Sequence, residues 1–230
     1  MDLTSFERKL GFSFKDGALL KQALTHRSYI NEHKGSKLEH NERLEFLGDA
    51  VLELIVTEFL YEEYPKQNEG EMTSFRAALV NADTLSNIAS GIGINDHILL
   101  SKGEARDTGR ARHYILADAL EAVIGAIFLD QGYEGAKKFV KKNVLSLAPG
   151  IVDQGLWIDS KSLFQEEAQE KAGVTPVYKT LAEEGPDHDK HFTVGVYLGS
   201  VLAGQGEGKS KQDAEQVSAR DALEKKGWNK

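Results

Sequence analysis

Apolar residues recur at three- and four-residue spacing up to about residue 148, the period of helices packed along one side. The spacing predicts helices over 4–9, 16–31, 41–64, 71–91, 112–130 and 134–147, with Asp16, Asn41 and Gly132 as punctuation at their ends. No segment before residue 149 reads as a convincing strand. The stretch PGIVDQGLWID then breaks the period as a linker does. Beyond it, a short helix over 160–171 precedes strands over 177–183, 191–198 and 201–206, with a last helix over 211–226. The expected division is an all-α domain at 1–149, a linker at 150–158 and a small α+β domain at 159–228 in the order α-β-β-β-α.

The most informative stretch is HNERLEFLGDAVLELIVTEFLYEEY. On a helix Glu42, Glu45 and Asp49 share one face, which continues through Leu52, Val56 and Phe59. The opposite side, with Leu44, Leu47, Val51, Leu54 and Ile55, is apolar as well, so this helix is expected to be buried all round. YILADALEAVIGAIFLD repeats the arrangement: Asp118 and Glu121 lie at i, i+3 on a face shared with Tyr114, Gly125 and Phe128. Ionised carboxylates in apolar helices cost several kcal/mol unless something compensates them. Neither helix offers a Lys or Arg on the acidic face. One such pair reads as surface acids at a helix end. Two pairs together read as a pooled oxygen site for a divalent cation, and an all-carboxylate set suits magnesium or manganese rather than zinc.

Composition narrows the chemistry. The chain has no cysteine, which excludes disulfides, thiolate metal sites and a cysteine nucleophile. Its net charge is -8, which by itself argues against a nucleic-acid partner. The longest apolar region, 44–64, is interrupted by Glu45, Asp49, Glu53 and Glu58, so no membrane span is expected. The N-terminus lacks the basic start and apolar run of a signal peptide, and the expected location is cytoplasmic.

The acidic segments also carry a family signature. HNERLEFLGDAVLE resembles the signature of bacterial ribonuclease III, and ILADALEAVIGAIFLD resembles its second acidic helix. QALTHRSY, NEGEMTSFRAALVN and the Pro-x-Tyr, EGPDH, SK and AEQ elements of a double-stranded-RNA-binding domain extend the resemblance over nearly the whole chain. It implies the ribonuclease III endonuclease fold followed by the double-stranded-RNA-binding fold. It also implies a magnesium-dependent homodimer that cuts double-stranded RNA to 5′-phosphate and 3′-hydroxyl ends with short 3′ overhangs. The family expectation for substrates is ribosomal-RNA precursors and other structured transcripts, messenger and transfer RNA among them. By resemblance Glu45, Asp118 and Glu121 match the metal ligands, and Asp49 and Glu121 the acids essential for catalysis. Glu42 and Glu69 match accessory acids, and Phe46 the aromatic that plugs into the partner subunit.

In the small domain the resemblance places Gln165 and His188 at minor grooves and Lys209, Ser210 and Lys211 at phosphates. Two adjacent lysines usually follow that serine, and here the pair reads Lys211-Gln212. From residue 160 onward ten Lys/Arg face twelve Asp/Glu, so binding must rest on a local basic patch. The cluster of Lys102, Arg106, Arg110 and Arg112 reads equally as a guide for the RNA backbone or as a solvated loop. GQGEGKS lacks the first glycine of a P-loop, since position 203 is alanine, and no nucleotide cofactor is expected. His26, in THRS, reads as a structural hydrogen-bonding residue, and Trp157 and Trp228 as packing residues. The alternative to an enzyme is a non-catalytic RNA-binding or ribosome-associated protein on the same fold. The intact acidic set favours the enzyme.

Overall fold

The computed structural model describes residues 3–153, 157, 159–186 and 190–228. The chain divides into two compact units, Met1–Trp157 and Ile158–Lys230. The first is helical: α1 (Thr4–Leu10), α2 (Gly17–Ala23), α3 (Arg27–Glu32), α4 (Glu42–Glu63), α5 (Glu69–Val80), α6 (Ala82–Gly91), α7 (Lys102–Arg106), α8 (Arg110–Asn143) and α9 (Ala148–Asp153).

Its core is built on α4 against α8. Leu52, Ile55, Val56 and Leu60 of α4 and Ala119, Leu120, Val123, Ile124 and Ile127 of α8 are essentially without solvent contact. The two backbones meet at a glycine on each helix. A Cβ on Gly48 would lie 1.8 Å from the Glu121 carbonyl oxygen, and one on Gly125 2.2 Å from that of Leu44. No other residue type allows so close a crossing.

Several helices are shorter or longer than the spacing predicts. The expected helix over 16–31 is two helices. Between them Thr25 pairs with Leu99 in a parallel bridge, and His26 takes an extended conformation to cap α3. A tertiary pairing overrides helix propagation there. The expected helix over 71–91 breaks at Asn81, whose extended backbone lets its side chain accept from Thr84 N–H. It also starts earlier, because Asn68 and Glu71 form a capping box. Conversely, the expected helix over 112–130 and most of that over 134–147 join into α8, which is interrupted at Gly132 with φ of 73° and ends at Asn143. The first residues of the expected linker form α9, and Trp157 packs edge-on against Phe75 with ring centroids 4.8 Å apart.

α4 is not buried all round, contrary to its composition. Phe46, Leu54 and Tyr61 are 82%, 58% and 74% exposed, and Leu129 of α8 is 54% exposed. The helix is sandwiched on one side only, and this stripe faces outward.

The second unit runs α10 (Ser160–Ala172), β1 (Val177–Glu184), β2 (His191–Leu198), β3 (Val201–Gly208) and α11 (Lys211–Lys226). The strands form an antiparallel sheet in the order β1-β2-β3. Phe164, Val196, Ala203, Ala219, Ala222 and Leu223 make its core. The alternate glycines of GQGEGKS serve close packing. A Cβ at Gly204, Gly206 or Gly208 would come within 2.5 Å of the α11 backbone.

Candidate metal centre

The glycine crossing determines what the acids can do. Glu45 precedes Gly48 by one turn on α4, and Glu121 precedes Gly125 by one turn on α8, so the close approach brings the acidic turns together. One carboxylate oxygen from each of Glu45, Asp118 and Glu121 lies within 4.8 Å of the others. All three residues are half-buried.

This concentration of negative charge resists ionisation. Burial pushes the Glu121 carboxyl up to about 8, with the charges of Asp49, Asp118 and Glu45 adding to the effect. Burial raises Glu45 to about 6, with Asp118, Glu42 and Asp49 contributing and Arg27 opposing. Burial raises Asp118 as well. A group of like charges whose ionisation is suppressed in the free chain is what a divalent cation would relieve. The donors are all carboxylate oxygens, which fits a hard cation.

The remaining sequence-predicted acids sit at different distances from this group. Asp49 is exposed on the turn after Glu45 and close enough to raise the pKa of both glutamates. Glu42 is exposed and held by Arg27 at 3.3 Å, a partner supplied by α3 rather than by either acidic helix. Glu69 is elsewhere. It lines a hollow with Thr57, Tyr61, Met72 and Arg76. Thr57 lies twelve residues beyond Glu45, about 18 Å along α4. A single chain therefore does not bring Glu69 to the cluster. Phe46 stands outward on the exposed stripe, between Glu45 and Asp49 in sequence.

Glu45 and Asp118 of the cluster line a cleft of about 570 Å³ whose wall also includes His26, Arg27, Glu42, Glu104 and Tyr114. His26 and Arg27 are the site residues that helix-face reasoning missed. Their only sequence signal was the THRS motif, since they reach the cleft through a turn rather than along a helix. Arg110, from the basic cluster, donates to the Tyr114 hydroxyl at 3.2 Å at the edge of the same cleft.

In the second unit Gln165 is exposed on α10 and Lys209 is exposed before α11, while His188 lies outside the described residues. Ser210 caps α11. Its Oγ accepts from Asp213 N–H at 3.1 Å, and Asp213 returns a bond to Ser210 N–H. Lys211 is engaged within the domain: its Nζ is 2.6 Å from Glu183 and sits over the Phe192 ring. The hydrogen bond from Lys211 holds the Glu183 carboxyl below its ordinary range.

Residues 16–147 match the family described as Ribonuclease-III-like, and 160–226 match the double-stranded RNA binding motif. The chain is 44% identical over 223 residues to the Ribonuclease 3 of Bdellovibrio bacteriovorus, covering 96% of this chain and 95% of that protein. To the Ribonuclease 3 of Enterococcus faecalis it is 45% identical over 223 residues, with the same shares. Its fold resembles a crystal structure of the ribonuclease III nuclease domain of Campylobacter jejuni, with a TM-score of 0.57 and 43% identity over 64% of this chain and 96% of that one. A second structure of that domain, described for flexibility in a region involved in dimer formation, gives a TM-score of 0.55 at 44% identity over 62% and 98%.

Proposed function

The chain belongs to the ribonuclease III family and is a double-strand-specific endoribonuclease, and on that premise we propose that it cuts with magnesium held by Glu45, Asp118 and Glu121, as a two-fold homodimer. The observation that carries the metal assignment is the convergence of those three carboxylates from two helices, with Glu45 and Asp118 lining one cleft. Manganese, with the same oxygen preference, is the expected substitute.

Magnesium supplies neutralisation of the phosphoryl oxygens and a water of lowered pKa for in-line attack. The protein's own groups do the rest. Glu121 and Glu45 must lose their protons to act as ligands. Asp49, one turn along α4, adds charge that draws the cation to this end of the helix. Arg27 tethers Glu42 at the cleft wall and orients its carboxylate. The products are expected to carry 5′-phosphates and 3′-hydroxyls with short 3′ overhangs. Structured precursors, ribosomal RNA among them, are the substrates this reading assigns, in the cytoplasm.

The homodimer reading rests on the outward stripe of Phe46, Leu54 and Tyr61. Large apolar side chains exposed in a row mark an interface. An isologous pairing along α4 sets the Phe46 end of one helix against the Tyr61 end of the other. The hollow at that end also holds Glu69. Glu69 would then reach the acid cluster from the opposite subunit, which accounts for its distance within one chain.

The second unit would hold the duplex through Gln165, Lys209 and Lys211, with Ser210 shaping the α11 N-terminus that meets phosphate. Incubating the chain with duplex and single-stranded RNA, with magnesium and with a chelator, tests the whole reading. Cleavage is expected only for the duplex with metal, and an uncut duplex in magnesium would remove it.

A further inference from the structure

The turn 24–26, between α2 and α3, brings His26 to the cleft wall, and the chemistry above leaves that histidine without a role. Its backbone is held from two sides. His26 N–H donates to Leu99 O at 3.1 Å, and Leu99 N–H to Leu24 O at 2.7 Å. From the other side Asn41 N–H donates to Thr25 O at 2.9 Å, and Asn41 O accepts from Glu45 N–H at 2.9 Å. Asn41 alone therefore bridges the Thr25–His26 peptide to Glu45. Thr25 is fully buried, and its hydroxyl donates to Lys21 O at 2.7 Å.

The ring is fixed as firmly as the backbone. His26 Nδ1 accepts from Ser28 N–H at 3.3 Å as the N-cap of α3, and lies 2.8 Å from Ser28 Oγ. Ser28 Oγ accepts from Ser101 N–H at 3.0 Å, which leaves its own proton for Nδ1. A ring nitrogen that accepts from the cap carries no proton, so the imidazole is the Nε2–H tautomer, assigned by this network. Among the described residues Nε2 has no hydrogen-bond partner. The ring lines the same cleft as Glu42, Glu45 and Asp118. Burial lowers its proton affinity, and Glu104, Arg27, Glu42 and His40 are the charged and titratable groups that act on it. A neutral donor there leaves the carboxylates free for a cation, yet offers a hydrogen bond to an anionic strand entering the cleft.

We propose that His26 contacts substrate: its Nε2–H donates to an oxygen of the RNA sugar–phosphate backbone in the cleft, a ribose 2′-hydroxyl or a non-bridging phosphate oxygen. The inference rests on the ribonuclease reading above.

His26→Asn separates contact from capping. Asparagine is a strong N-cap, so α3 keeps its cap, but the spent side chain is too short to present the ring N–H. The expected result is an unchanged melting temperature with single-turnover cleavage of duplex RNA slowed roughly tenfold, the loss of one hydrogen bond to substrate. Single 2′-deoxy and single methylphosphonate replacements, walked through the cut region, then identify the atom. The replacement that slows the unaltered protein but not His26→Asn marks the contact, at the sugar in one series and at the phosphate in the other. Cleavage by His26→Asn at the unaltered rate, or replacements that slow both proteins equally, would overturn the proposal. If the variant melts early, the ring 15N spectrum of His26 in a Glu121→Gln protein answers instead. The Nε2–H signal moves when duplex RNA is added, and a stationary signal refutes the contact. An unaltered protein that leaves duplex RNA whole in magnesium would remove the ribonuclease reading itself, an outcome distinct from a fast His26→Asn.

Discussion

Gly48 and Gly125 bring α4 and α8 into backbone contact, each occupying a place where a Cβ would come within 2.2 Å of the other helix's carbonyl oxygen. The acid cluster is a consequence of that contact. Glu45 and Glu121 stand one turn from the two glycines, so the distance between their carboxylates follows from the distance between the helices.

A methyl group at the crossing should therefore damage stability and site together. Gly48→Ala must push the helices apart against a rigid backbone, for about 3 kcal/mol or more. For the helical unit that lowers the melting temperature by roughly 6–12 °C. Calorimetry in magnesium should also show weakened metal binding. A variant that melts and binds metal as the unaltered chain does would mean that the crossing is wider than described.

The raised carboxyls of Glu121 and Glu45 give a pH dependence of definite sign. Their folded values, about 8 and about 6, lie above the ordinary glutamate value of 4.5. The metal-free folded chain therefore binds more protons than the unfolded one between about pH 4.5 and 8. The stability these groups contribute is complete below that window and is lost as pH rises through it. Magnesium competes with those protons, so it should raise the melting temperature more at pH 8.5 than at pH 6. The difference should shrink in Glu121→Gln. A magnesium effect of equal size at both pH values would argue against ligation by these carboxyls.

The exposed stripe on α4 makes a separate prediction. Phe46→Ala removes a side chain that is 82% exposed in the single chain, so the monomer should keep its stability. Self-association, read by sedimentation across a dilution series, should weaken by tenfold or more. Unchanged sedimentation at low concentration would take Phe46 out of the interface.

In the RNA-binding unit, Lys211 is shared between a phosphate it is proposed to meet and the Glu183 carboxylate 2.6 Å away. Exposed pairs of this kind are worth about 0–1 kcal/mol, so freeing the lysine should raise duplex affinity by only two- to fivefold. Glu183→Gln is expected to do so and to steepen the salt dependence by up to about one counterion. Glu184→Gln, the neighbouring acid, serves as the control. Equal affinities for both variants would show that the ion pair does not compete with RNA.

Helix spacing made the long elements and the acidic faces legible, because both are properties of a single helix. Gly125 was already visible on the face of Asp118 and Glu121, and Gly132 as a break. Features that need two distant segments were hidden. The break at Thr25 exists because Leu99 pairs with it. Arg27 meets Glu42 only once α3 has turned back on α4. The exposure of Leu54 and Tyr61 was masked by the same reasoning that found the core, since apolar residues on every side read as burial, whereas the resemblance already assigned Phe46 to a subunit contact. Glu69 shares a sequence signature with the other acids but not their location, because signature membership carries no distance. The capping role of Ser210 and the Glu183 partner of Lys211 were likewise invisible without the strands that position them.

The most direct measurement pairs magnesium binding with cleavage in one variant. Glu121→Gln leaves the helices and the RNA-binding unit as they are and removes one charge from the cluster. If Glu45, Asp118 and Glu121 hold the metal, this protein should melt no lower than the unaltered chain without metal and bind duplex RNA with the same affinity. It should also lose calorimetric magnesium binding and leave the duplex uncut. Cleavage at an undiminished rate with magnesium binding intact would contradict the assignment.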